Sequence, residues 1–294
     1  MAPVFSNRFT GVALVFGAGL CWSSGGILVR LISADAWSII FWRSTFMVIS
    51  VGLYLGVRHG RSAVSVVRDI GWAGLASAAV LCGAFIFFIL SLQHTTVANT
   101  VVLMSASPLV AAFLGYLFLH EHVSWKTVAA TGVALGGITI MFLGSLNTGA
   151  ALGNVFALIV AFCLGSNIVV LRASRHVDMV PAMAVAGLIS MAITFPLAPL
   201  GDTRAADIGL LAIMGCFQLG LGLFLVIRGT RYLSAAEVGL LTLSETVFAP
   251  IWVWIGVRET PAMVTFVGGA LVLGALAGHF ILGRQESKIP VGIA

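Results

Sequence analysis

The chain has 294 residues, 60% of them apolar and only 9% charged, with a net charge of +5. A water-soluble domain carries roughly 25% charged residues, so this composition excludes a soluble globule and points to a surface that meets lipid. The charge balance has no long Lys/Arg run, which argues against nucleic-acid binding and suits the loops of a membrane protein.

In chain order, ten apolar stretches reach the ~20 residues needed to cross a bilayer core. They cover roughly 11–31, 36–56, 70–92, 97–119, 124–144, 150–171, 179–198, 207–228, 234–256 and 262–282. The first is followed by Ala34-Asp35-Ala36, which looks like a leader cleavage site. It is kept as a span because it has an internal counterpart. Its centre, Trp22-Ser23-Ser24-Gly25-Gly26, offers an aromatic wall, two hydroxyls and two glycines that permit close packing or local unwinding.

The second stretch carries Arg43, and the third carries Phe85 and Phe88. The fourth holds Asn99, Ser105 and Ser107 and closes at Glu121. Asn167 lies in the sixth, and Phe217 with Gln218 in the eighth. The ninth begins near Glu237, has Ser244 and Glu245 at its centre and closes at Glu259. Trp37, Trp42, Trp72 and Trp125 lie near stretch ends, where interfacial anchors sit. Cys21, Cys82, Cys163 and Cys216 are far apart in apolar stretches and read as packing residues. There is no metal-ligand spacing, HExxH, P-loop or dinucleotide motif, so no metal, cofactor or enzymatic activity is expected.

Basic residues orient the spans. With the N-terminus inside, the inner segments carry Arg8, Arg58, Arg61, Arg68, Lys126, Arg172, Arg175, Arg228, Arg231, Arg284 and Lys288. The outer loops carry Arg30, Arg204 and Arg258. Eleven against three predicts both termini in the cytoplasm.

The two halves also resemble each other. His94–Glu121 aligns with Tyr232–Glu259 at a constant offset of 138, setting Ala98 on Ala236, Leu103 on Leu241 and Glu121 on Glu259. The first stretch matches the sixth at an offset of 142, setting Gly11 on Gly153, Cys21 on Cys163, Ser24 on Ser166 and Arg30 on Arg172. Five spans per unit is an odd number, so the second unit enters the membrane inverted. Inverted repeats are common in secondary transporters. The expected fold is an all-α integral membrane protein of two inverted five-helix repeats, 9–145 and 149–283, with a cytoplasmic tail over 284–294.

The segments VANTVVLMSASPLVAAFLGYLFLHEHVSWKTVAATGVALGGI and AAEVGLLTLSETVFAPIWVWIGVRETPAMVTFVGGALVLG resemble the two repeats of the EamA family in the drug/metabolite transporter superfamily. With CWSSGGILVR in the first stretch, the chain is also similar to YddG-type aromatic amino-acid exporters. Two departures stand out. The residue before the closing Glu, usually Gly in the family, is His120 in one repeat and Arg258 in the other. The mid-helix proline, Pro108, is displaced to Pro250 in the second copy. The resemblance implies ten helices and transport of small metabolites, commonly export, through a cavity lined by helices 1, 3, 4, 6, 8 and 9.

Several residues are candidates for that cavity: Trp22, Ser23, Ser24, Phe85, Asn99, Ser105, Asn167, Phe217, Gln218, Ser244 and Glu245. A carboxylate at mid-membrane is expensive unless paired or hydrated. Glu245 is therefore read either as a substrate or proton-coupling group or as a structural carboxylate bonded to a neighbouring helix. Arg43 is read as a carboxylate contact or as an interhelical ion pair or snorkelling side chain. Glu121, Glu237 and Glu259 are read as gate or structural residues. The expectation is a monomeric secondary exporter of amino acids, aromatic and neutral ones included, or of similar metabolites, in a bacterial inner membrane. Its partners are its small-molecule substrate and the bilayer. Efflux of cationic drugs is the alternative, and a membrane enzyme or receptor a distant one.

Overall fold

The computed structural model describes residues 4–120, 125–146, 149–174, 177–229, 232, 241–242 and 244–286, and among these the ordered elements are helical. They are α1 (Val4–Leu31), α2 (Ala36–His59), a short α3 (Ala63–Asp69), α4 (Gly71–His94), α5 (Val97–Met104), α6 (Ser107–Leu119), α7 (Trp125–Leu146), α8 (Ala151–Ala173), α9 (Val180–Thr194), α10 (Ala205–Ala212), a π segment (Ile213–Leu221), α11 (Gly222–Gly229), α12 (Ser244–Val257) and α13 (Met263–Glu286). Six of the described helical stretches are long and apolar enough to cross a membrane: Phe9–Leu31, Ala36–Ser62, Gly71–His94, Val97–Leu119, Ala151–Leu171 and Ala205–Val226. Val180–Thr194, Ser244–Val257 and Met263–Ala275 are shorter apolar helices. The chain is a multi-pass membrane protein.

Two spans that read as uniform helices are interrupted. The fourth breaks at Ser105–Ala106, with Pro108 in the first turn of the helix that resumes. A proline there loses no intrahelical bond, because the first N–H groups of a helix have no partner. The eighth widens into π geometry over nine residues, Ile213–Leu221. By contrast α1 runs unbroken through Trp22–Gly26, so its glycines serve packing and the option of local unwinding is not taken. A Cβ at Gly25 would sit 3.0 Å from Gln218 Nε2, and one at Gly26 would overlap Val97.

The helices pair in matched sets. Helix α1 packs on α12 and on α11 with the π segment, while α8 packs on α5 and α6 and on α4. Helix α4 packs on α9, as α10 and the π segment pack on α2. Two further contacts join equivalent helices directly, α2 with α9 and α7 with α13. Glycine permits the closest approaches. A Cβ at Gly153 of α8 would lie 2.6–2.7 Å from the His94–Thr95 backbone and side chain, and one at Gly137 of α7 would lie 2.6 Å from Gly268 O.

Helix ends from both halves collect at one rim. The end of α1 meets the α4–α5 corner and the residues after α12. The start of α8 bonds the end of α4, and Thr265 of α13 bonds Asn99 of α5. At the opposite end Tyr54 of α2 stacks edge-on against Phe224 of α11, with ring centroids 5.1 Å apart.

Candidate functional site

Arg43 lies two turns into α2, a helix started by Asp35, whose carboxylate accepts the Trp37 N–H at 2.8 Å. Its side chain is 1% exposed. Nη2 donates to Phe85 O at 2.8 Å, and Cζ stands 5.6 Å from the Phe85 ring centroid and 5.8 Å from that of Phe88. The two rings, three residues apart on α4, attract the cation through their π faces. Nε has no hydrogen-bond partner, and among the described residues Arg43 makes no ion pair. Among the described residues the arginine pairs with no acid, and at this burial it does not reach the surface as a snorkelling side chain would.

The π segment closes over this group. A Cβ at Gly215 would lie 2.5 Å from Arg43 O, so only glycine lets the segment come this near to α2. π geometry is frequent at functional sites. Here it buries Gln218 (3% exposed) and leaves its neighbour Phe217 half exposed. Gln218 Nε2 faces Gly25 of α1, close to the Phe88 ring, and Oε1 has no partner. Arg43, Phe85, Phe88, Gln218 and Gly25 thus form one cluster where α1, α2, α4 and the π segment meet.

Glu245 is buried in α12. Ser244 beside it lies against Gly19 of α1, and Ser244 Oγ is unpartnered. Gly19 and Gly25 are six residues apart, about 9 Å along the α1 axis. The carboxylate and the guanidinium therefore occupy different depths.

The other candidates are distributed around this centre. Trp252 Nε1 donates to Ser23 Oγ at 3.0 Å, and Ser23 and Ser24 donate to the backbone oxygens of Leu20 and Cys21. Trp22 covers Gly222. Ser77 donates to Asn167 Oδ1 at 2.6 Å, and Ser105 donates to Val102 O at 2.6 Å. Asn99 sits in a helix-joining network. Its Nδ2 donates to Thr95 Oγ1 at 3.1 Å and Asn154 Oδ1 at 3.4 Å, and its Oδ1 accepts from Thr265 at 2.5 Å. Glu121 and Glu237 lie outside the described residues.

At the rim, Arg30 Nε donates to Glu259 Oε2 at 2.7 Å, and Glu259 Oε1 accepts the Val97 N–H at 2.8 Å. Nothing in the sequence singles out Thr95, Asn154 or Thr265, and Arg30 enters there only as an outer charge and as the repeat counterpart of Arg172. The readable signal was an arginine at a span end on the side poor in basic residues.

These helices have counterparts among known proteins. The chain spans 62–70% of the length of three curated relatives it matches. The uncharacterized transporter sll1164 of Synechocystis is 23% identical over 67% of this chain and 62% of its own. The uncharacterized transporters YdfC and YetK of Bacillus subtilis are 23% and 24% identical, over 70% and 71% of this chain and 70% and 68% of theirs. A solved crystal structure shares the fold, with a TM-score of 0.68 at 18% identity over 96% of this chain and 100% of that one. The EamA-like transporter family matches twice, over residues 9–143 and 151–281. The chain belongs to the EamA-like transporter family, within the drug/metabolite transporter superfamily.

Proposed function

We propose that the chain is a ten-span secondary active transporter that exports amino acids, aromatic and neutral ones among them, or similar small metabolites by alternating access. Its two five-helix halves, 9–145 and 149–283, are inverted copies, both termini face the cytoplasm and a single chain in the inner membrane suffices.

The matched packing carries this reading. The main contacts of one half across the interface have counterparts made by the other half, α1 with α12 answering α8 with α5 and α6. A pseudo-two-fold interface of this kind can present one central site to either side. The gathering of the α1, α4 and α12 ends with the α5, α8 and α13 starts at one rim supports strict alternation of direction. Arg43 of the first half and Gln218 of the second lie in one buried cluster, at the kind of interface where a solute site belongs. Transport of cationic drugs is the competing reading, favoured by the buried carboxylate of Glu245.

Counterflow in proteoliposomes separates the two. Loaded unlabelled amino acids should drive uptake of the labelled amino acid, and tetraphenylphosphonium should not compete. Exchange of the lipophilic cation without amino-acid exchange would select the drug-efflux reading instead.

A further inference from the structure

Arg43 is a buried cation for which the described residues supply no counter-charge. A guanidinium stays ionised, and an uncompensated charge at membrane depth is strongly unfavourable. The Phe85 and Phe88 rings interact through their faces, which relieves part of that cost without occupying the N–H donors on the edge of the guanidinium. One edge donor, Nη2, is taken by Phe85 O, and Nε is unpartnered. In the same cluster Gln218 Oε1 is an unpartnered acceptor at 3% exposure. A cation with an unpartnered donor and, in the same cluster, an unpartnered acceptor matches a small molecule carrying a carboxylate and an N–H or O–H donor. The carboxylate takes the planar fork, and the donor takes the glutamine.

We propose that Arg43 anchors the carboxylate of the transported solute and that Gln218 accepts a hydrogen bond from a second group on the same molecule, so the site takes amino or hydroxy carboxylates and rejects organic cations. This rests on the transporter reading above and adds the class of solute to it. Arg43 is closed off in this conformation, as a site must be when it faces neither side, and helix movement admits the solute.

The test uses the purified full-length protein in detergent, with thermal stabilisation measured against alanine, leucine and phenylalanine, each beside its primary amide. The amide keeps size and amino group and loses the negative charge. The acids should stabilise at concentrations roughly 10- to 100-fold below their amides. Arg43→Gln should abolish that preference, and Arg43→Lys, which keeps the charge without the fork, should retain a reduced one. If Arg43→Gln does not fold, the wild type and Arg43→Lys still decide. Equal response to acids and amides, no response to any of the six, or an unchanged preference in Arg43→Gln would overturn the site. Stabilisation by tetraphenylphosphonium alone would overturn it while leaving a transporter. Acid-selective binding without counterflow would leave the site and remove the transport reading.

Discussion

Arg30 and Glu259 stand 229 positions apart in sequence and meet at 2.7 Å, and between them they tie three segments together. Arg30 spends Nη1 on Leu92 O at 2.6 Å and Nη2 on Thr95 O at 2.9 Å, while Glu259 takes the free N–H of Val97 at the start of α5. The α1 end, the α4–α5 corner and the residues after α12 are thereby held at one rim. The repeat alignment places Arg172 opposite Arg30 and Glu121 opposite Glu259.

A charge pair that also satisfies backbone groups is worth more than an exposed pair, because removing either partner strands donors or acceptors. Both side chains are about a quarter exposed, which tempers the effect. Arg30→Ala and Glu259→Ala should each lower stability in detergent, and the double variant should fall short of their sum by about 1–2 kcal/mol. A double-mutant cycle on unfolding midpoints checks this, and additive losses would show that the two residues act separately.

The residue before each closing glutamate has the same unusual backbone. His120 has φ 55° and Arg258 has φ 57°, the only non-glycine positive values among the described residues. This fits the glycine that the family resemblance implies there: the left-handed turn that ends the helix is strained for any residue with a Cβ. Arg258→Gly and His120→Gly should therefore each be neutral or stabilising, by up to ~1 kcal/mol. Arg258→Val, in contrast, should destabilise. Thermal melts of the three variants beside wild type read this directly, and a loss of stability in both glycine variants would contradict it.

How far the sequence carried depended on whether a feature was local. The apolar stretch at 36–56 and α2 at Ala36–His59 agree because span length follows from hydrophobicity alone. The helix break at Ser105–Ala106 left a trace in Pro108, though the stretch had read as one helix. The π segment left none, since Gly215 and Gly220 look like ordinary small residues and their purpose appears only against Arg43 O and Ser50. The surroundings of Arg43 were illegible for the same reason. Its partners, Phe85 and Phe88, lie more than forty residues away, and nothing in an apolar helix says which ring will face a cation. Glu245, Gln218 and Asn99 stood out as polar groups at membrane depth. Only the fold separates Asn99, committed to Thr95, Asn154 and Thr265, from Gln218, whose acceptor is open.

Glu245 carries the remaining prediction. It is buried in α12 against α1, an interface that the proposed alternating access would remodel, and none of the described residues forms an ion pair with it. A carboxylate in such a place has two ways to avoid an unpaired charge: it binds a proton, or it meets a cationic group of the solute. In the first case protonation is part of the cycle, and net export responds to pH. Glutamine keeps the shape and hydrogen bonds of the protonated acid and cannot release a proton. Glu245→Gln should therefore lose the pH dependence and proton-driven accumulation of wild type while still exchanging labelled for unlabelled solute, a reaction that needs no net proton movement. In the second case glutamine removes the charge that binds the solute, and exchange itself should weaken at every pH. Measuring pH-jump-driven transport and counterflow on the same proteoliposomes resolves the two. A variant that matches wild type in both assays would show that Glu245 does neither and serves only the packing of α12 on α1.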